Sequence, residues 1–174
     1  MTLRLVLGCD PGQSGAIAVL ADGEPTGFID MPTMPRKAGG HEVNAASLAA
    51  QLRGILQQHR GAHVMAVLEL VNAMPPKVRG RSQGISSAFR FGQSDGILRG
   101  VLAALGIGYI TVSPVKWKNH YGLTGQDKDA ARTLAIRRFP SVADRLARKK
   151  DGGRADALLI ALWAHGTEQH ARAA

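Results

Sequence analysis

Apolar residues gather into short runs along this chain, and turn-forming residues separate them. Residues 3–9, 15–21 and 25–31 read as three strands, divided by the turn signals Pro11-Gly12 and Asp22-Gly23. The short connections predict an antiparallel meander. The segment from Met31 to Gly40, rich in proline and glycine, reads as a loop. It leads into a helix from about Asn44 to His59, with Leu48, Leu52, Ile55 and Leu56 on one face. Residues 63–70 form an apolar run of strand length. Pro75-Pro76 opens a basic, glycine-containing loop through Gly84, and a helix carrying Ile97, Val101 and Leu105 precedes a strand over 109–112. Further helices are predicted near 128–138 and 154–166. The order of three strands, helix, strand, helix, strand, helices suits an α/β fold with a mixed five-stranded sheet, because parallel neighbours need helical crossovers.

Three carboxylates interrupt this pattern where a solvated surface does not explain them. Asp10 ends the apolar run 3–9, Glu69 ends the run 64–68, and Asp156 precedes the apolar stretch 157–164. A buried carboxylate is costly without positive charge beside it. Adjacent parallel strands would bring Asp10 and Glu69 to the same edge of the sheet, and the final helix would deliver Asp156. Divalent ions supply the compensating charge in such a cluster. Taken singly, Asp10 also reads as a turn residue and Glu69 as a strand-end surface acid.

Length and composition fit that picture. A chain of 174 residues that is 45% hydrophobic can bury a core, and it reads as one domain over 1–174. The longest apolar stretch is too short to span a bilayer, and no secretory pattern opens the chain, so a soluble cytoplasmic protein is expected. The lone Cys9 reads as a small core residue, consistent with reducing surroundings. The six histidines show no metal-site spacing. The net charge is +9, unevenly distributed: residues 71–154 carry 16 basic and 5 acidic groups, while residues 1–70 carry 5 and 6. A positive field concentrated in this way favours a phosphate backbone.

The ordered set Gly8-Cys9-Asp10-Pro11-Gly12 with Ser14-Gly15, the strand ending in Glu69, Phe91-Gly92-Gln93-Ser94-Asp95-Gly96 opening a helix, Val112-Ser113-Pro114-Val115-Lys116-Trp117-Lys118, Lys128 opening a helix, and Arg154-Ala155-Asp156-Ala157-Leu158 resembles the RuvC-type Holliday junction resolvases, of the ribonuclease H-like fold. The compact size is similar to that of virus-encoded members, which act in the bacterial host cytoplasm. The resemblance implies that Asp10, Glu69 and Asp156 hold two Mg²⁺ ions per site, replaceable by Mn²⁺, with a fourth ligand from near the last helix.

Asp151 is the candidate for that fourth position. Cellular relatives place an acid three residues before the final aspartate, where this chain has Gly153. In a regular helix positions 151 and 156 are about 140° apart, so both face one metal pair only if Gly152-Gly153 lies outside the helix. Asp151 reads equally well as a helix N-terminal carboxylate.

The resemblance further implies a homodimer cutting four-way or branched DNA by two symmetric nicks with 5′-phosphate and 3′-hydroxyl ends. Lys116 and Lys128 match its DNA-contacting positions. Lys118, Lys77, Arg79 and Arg81 are further candidates for phosphate contact, and Phe89 or Phe91 for a wedge against bases. Trp117 reads as a buried anchor, and Gly92, Gly96 and Gly100 form a stripe permitting close approach, read here as room for an internal neighbour rather than for a second copy.

Two other enzyme readings and a binding module compete. A branched-DNA or RNA endonuclease of the same fold would use the same acids, and a non-catalytic junction-binding module would keep the basic surface. Asp10-Pro11-Gly12-Gln13-Ser14-Gly15 also resembles the phosphate loop of actin-like kinases, but those need two domains, and no G-x-x-x-x-G-K-[ST] motif is present. No nucleotide cofactor is expected.

Overall fold

The computed structural model describes residues 2–37, 39–70 and 84–173. Its centre is a five-stranded sheet that runs in space from β3 (Glu24–Asp30) through β2 (Ala16–Ala21), β1 (Arg4–Cys9) and β6 (His63–Glu69) to β7 (Gly108–Val112). Strands β1 (Arg4–Cys9), β2 (Ala16–Ala21) and β3 (Glu24–Asp30) form the predicted antiparallel meander. Strand β6 (His63–Glu69) pairs parallel with β1, and β7 (Gly108–Val112) pairs parallel with β6. Helix α1 (Ala45–Gln58) makes the first crossover. Its N-cap is Asn44, whose side chain accepts from the Ser47 N–H at 3.0 Å. Helix α2 (Ile85–Ala104) makes the second.

Strand alternation sorts side chains onto two faces. Leu5, Leu7, Ile17, Val19, Ala66 and Leu68 pack with Leu48 and Leu52 of α1 and Leu98 and Leu102 of α2. Val6, Ala18, Leu20 and Val67 pack on the other face against the last helix, α5 (Gly152–Ala173). Helix α4 (Ala130–Arg138) lies on that side, its Ala135 in the same cluster.

Four features depart from the sequence reading. The expected loop after Met31 contains a hairpin of β4 (Thr33–Pro35) and β5 (His41–Val43), whose chain reversal uses Gly39 and Gly40 at φ +82° and +76°. Three-residue strands are too short to show alternation. A helix α3 (Pro114–His120) follows β7, started by the Ser113 cap and Pro114 in the first turn. Helix α2 begins at Ile85, so Phe91-Gly92 lies well inside it. Lys128 precedes α4 by two residues. Of the basic loop, residues 71–83 lie outside the described residues, and with them Lys77, Arg79 and Arg81.

Candidate active site

Parity and register bring the first two carboxylates together. Val6 and Gly8 face α5, so Asp10, two residues on, projects to the same side; Val67 and therefore Glu69 do likewise. In the parallel ladder Cys9 lies opposite Leu68, which sets Asp10 beside Glu69 one step further along. Asp10 is held in its turn by its own backbone N–H, donated to the Ala16 carbonyl at 2.9 Å, and by the Gly12 N–H donated to its Oδ1 at 3.3 Å.

The third carboxylate arrives because α5 docks unusually close. A Cβ on Gly8 would run into the Ala157 carbonyl and the Ala161 backbone nitrogen. At the helix start, a Cβ on Gly153 would sit 2.6 Å from the Ser14 carbonyl oxygen and 2.9 Å from the Gly15 Cα. Glycine at both places removes the obstruction, so the first turns of α5 rest on β1 and on the β1–β2 turn. Asp156, between those two contacts, is thereby brought to Asp10 and Glu69.

The electrostatics show the three acids sensing one another. Burial pushes the Asp10 carboxyl up to about 6; the Gly12 N–H opposes this, Glu69 adds to it and Lys118 opposes it. Burial likewise pushes Asp156 up to about 7, with Lys118 pulling it down and Asp10 and Glu69 pushing it up. Negative charge here is therefore only partly compensated, and Lys118 is the cation that eases both aspartates. Glu69 has a neutral partner as well: the Trp117 indole N–H donates to its Oε1 at 2.9 Å.

Beside the acids lies a cleft of about 400 Å³, lined by Lys118, Lys128, Lys149 and Asp156 among others. The sequence reading had singled out Lys118 and Lys128. It missed Lys149, which stands on a short 3-10 turn (Lys149–Asp151) immediately before α5. Lys116 does not line this cleft; its ammonium lies over the Trp163 ring, 5.3 Å from the centroid.

Asp151 does not join the acids. Helix α5 starts at Gly152, so Gly152 and Gly153 belong to regular helix and positions 151 and 156 diverge. The Asp151 carboxylate is instead held by Arg148, whose Nη2 donates to Oδ1 at 2.8 Å and whose backbone N–H donates to Oδ2 at 2.9 Å. At 3% exposure it is a buried structural carboxylate, kept well below the usual range by Arg148. The Arg148 guanidinium occupies the oxygens that a cation would need.

Trp117, expected as a buried anchor, is fully buried, but the reading had not linked it to Glu69. Phe89 is 68% exposed on α2, whereas Phe91 is partly buried, its ring edge near Gly12. A side chain added at Gly92, Gly96 or Gly100 would meet nothing within 4 Å among the described residues, so the stripe does not accommodate an internal neighbour there.

No family model matches the chain. Over 130 residues it is 37% identical to the chloroplastic Holliday junction resolvase MOC1 of Chlamydomonas reinhardtii, a stretch that is 74% of this chain and 14% of that protein. Among solved structures it is similar to RuvC of T. thermophilus in complex with Holliday junction substrate, with TM-score 0.54 and 19% identity over 95% of this chain and 96% of that one. A second structure of Thermus thermophilus RuvC matches with TM-score 0.52, 14% identity and the same coverage. The mixed sheet flanked by helices and these structural matches together assign the chain the ribonuclease H-like fold of RuvC.

Proposed function

We propose that this chain is a divalent-metal-dependent endodeoxyribonuclease that resolves four-way DNA junctions by paired symmetric nicks. The observation that carries the reading is the coupling of Asp10, Glu69 and Asp156 at one end of the sheet, beside a cleft carrying Lys118, Lys128 and Lys149. The similarity to MOC1 extends across three quarters of the chain and supports the substrate class.

The donor set fits hard divalent cations. All three groups are carboxylates, the oxygen donors that Mg²⁺ and Mn²⁺ prefer, and their charge exceeds what Lys118 offsets. Among the described residues no three acidic, histidine or cysteine side chains are already gathered tightly enough to hold a cation, so the three acids would close on the ions as they bind. Bound ions would polarise the scissile phosphate and make water a nucleophile at neutral pH.

The chain's own residues do the rest. Asp10, Glu69 and Asp156 supply the ligands, and the buried position of the aspartates strengthens their grip on a cation. Lys118 stands against the aspartates and contributes a fixed positive charge next to the phosphate undergoing attack. Lys128 and Lys149 line the cleft leading to Asp156, where they hold the backbone on one side of the cut. Lys77, Arg79, Arg81 and Lys116 would add further phosphate contacts, and exposed Phe89 would stack against an unpaired base. Two nicks need two sites, so the working unit is a homodimer of a single-domain chain, and the open glycine face of α2 permits close approach of a second copy.

The test uses labelled four-way junction, Y-fork, linear duplex and RNA–DNA hybrid, each with Mg²⁺ or with EDTA, and the Asp10→Asn variant alongside. Expected are paired nicks in the junction, ligatable ends, and loss of cutting in EDTA and in the variant, with sedimentation giving a dimer. Binding without metal-dependent nicking would reduce the chain to a junction-binding module. Preferential cutting of another substrate would move its function elsewhere within nucleases of this fold.

A further inference from the structure

The hydrogen bond between Trp117 and Glu69 stands apart from the other contacts of the site. Glu69 lies opposite Val112 in the parallel ladder of β6 and β7, and the Leu70 N–H donates to the Val112 carbonyl at 2.8 Å, so the two strand ends are fastened together. From Val112 the chain turns through Ser113 into α3. The Ser113 side chain accepts from the Lys116 N–H and Pro114 occupies the first turn. This short helix returns Trp117 to the end of the sheet, where its side chain is fully buried.

Indole has one N–H and no acceptor, so a buried tryptophan must find a partner for that donor. Here the partner is Glu69 Oε1, at 2.9 Å. A single N–H can hold only one carboxylate oxygen and leaves the other to a cation. The face of the same ring lies under the next residue's ammonium, with Lys118 Nζ 5.0 Å from the centroid. Lys118 in turn acts on both Asp10 and Asp156. One buried ring thus touches one acid, Glu69, and the cation that acts on the other two.

We propose that Trp117 is the positioning residue of this site: its indole N–H fixes the Glu69 carboxylate for divalent cation binding, while its ring face supports Lys118. The inference rests on the metal-dependent reading above and adds a residue that acts through Glu69 rather than on DNA. Packing alone would require only a large apolar ring. The proposal requires the N–H.

Trp117→Phe keeps a buried ring and removes the donor, and Glu69→Gln serves as the control without ligand charge. Mn²⁺ binding is measured by calorimetry in the absence of DNA, with thermal melting to establish folding, and junction cleavage is followed against Mn²⁺ concentration. Loss of a ligand's orienting partner typically weakens metal binding about 10- to 100-fold. A shift of that size is expected in Mn²⁺ affinity and in the Mn²⁺ concentration for half-maximal rate, with the rate at saturating Mn²⁺ recovered to within a few-fold. A folded Trp117→Phe protein with unchanged Mn²⁺ affinity overturns the proposal.

Should that variant not fold, Trp163→Phe leaves Trp117 as the sole tryptophan. Mn²⁺ should then quench its emission, and Glu69→Gln added to the same protein should abolish the quenching; unquenched emission at saturating Mn²⁺ overturns the proposal. The two readings separate cleanly. A wild-type protein that binds Mn²⁺ and shows the Trp117 effect but cuts no junction refutes the nuclease assignment alone, whereas a Trp117→Phe variant that cuts at the wild-type rate at sub-saturating Mn²⁺ refutes the positioning role alone. Absence of any Mn²⁺ binding by wild type sinks both.

Discussion

Among the described carboxylates, Asp10 and Asp156 are the ones that burial pushes up furthest. Their carboxyls titrate near 6 and 7 in the folded chain against 3.8 as the ordinary value. Below about pH 4 both are protonated in folded and unfolded chains alike. Between there and pH 7 the unfolded chain releases these protons while the folded chain retains them, so rising pH favours unfolding through that window. At about 1.4 kcal/mol per unit the two shifts set an upper bound of about 7 kcal/mol on the loss, reduced by solvent screening of these partly exposed groups. Melting temperatures in EDTA should therefore fall from pH 4.5 to pH 8, and Asp156→Asn should raise the value at pH 8. A profile that is flat or climbs with pH in wild type would contradict the burial of these acids. Asp30 and Asp151, held low by Arg154 and Arg148, act oppositely: their stabilisation is present above about pH 4 and is lost as pH falls further.

Helix α5 is the element that completes the site, and its docking depends on missing side chains. Gly8 in β1 and Gly153 in the first turn of the helix each leave room for backbone on the opposite element. Adding a methyl at Gly8 forces helix and strand apart where the Ala157 carbonyl now lies, and overpacking of this kind costs typically 1–3 kcal/mol, roughly, or more against rigid backbone. Gly8→Ala should lower the urea midpoint accordingly. It should also reduce cleavage in the surviving folded fraction, because Asp156 moves with the helix. A Gly8→Ala protein of wild-type stability would show that the helix sits further out. Gly54 makes the contrast, since a Cβ there meets nothing within 4 Å and its replacement by alanine should be tolerated.

At the scale of the molecule, the +9 net charge is concentrated in the segment that supplies Lys118, Lys128 and Lys149 to the cleft. Junction binding in EDTA should weaken linearly on a logarithmic salt scale, as condensed counterions are released. Removing Lys128 or Lys149 by alanine substitution should each lower the slope by about 1. Slopes unchanged in both variants would place the DNA elsewhere on the surface. Among the described residues no helix is long and apolar enough to cross a membrane.

Much of this was legible in the residues themselves. Hydrophobic alternation and turn signals determined the meander, the two crossovers and the parallel strands, because these depend on local period and loop length. The position of each acid at one end of an apolar run singles out Asp10, Glu69 and Asp156 in the sequence itself. What only the tertiary structure decided is which groups share space. The short hairpin and α3 were hidden because a few residues carry no period. The Trp117–Glu69 bond spans 48 positions, and no local pattern reports it. Asp151 looked like a ligand because it is acidic and close in sequence to Asp156. It lies instead in the short 3-10 turn before α5, held by Arg148 three residues earlier, while Asp156 sits in the helix itself, and a helix fixes direction as firmly as it fixes distance.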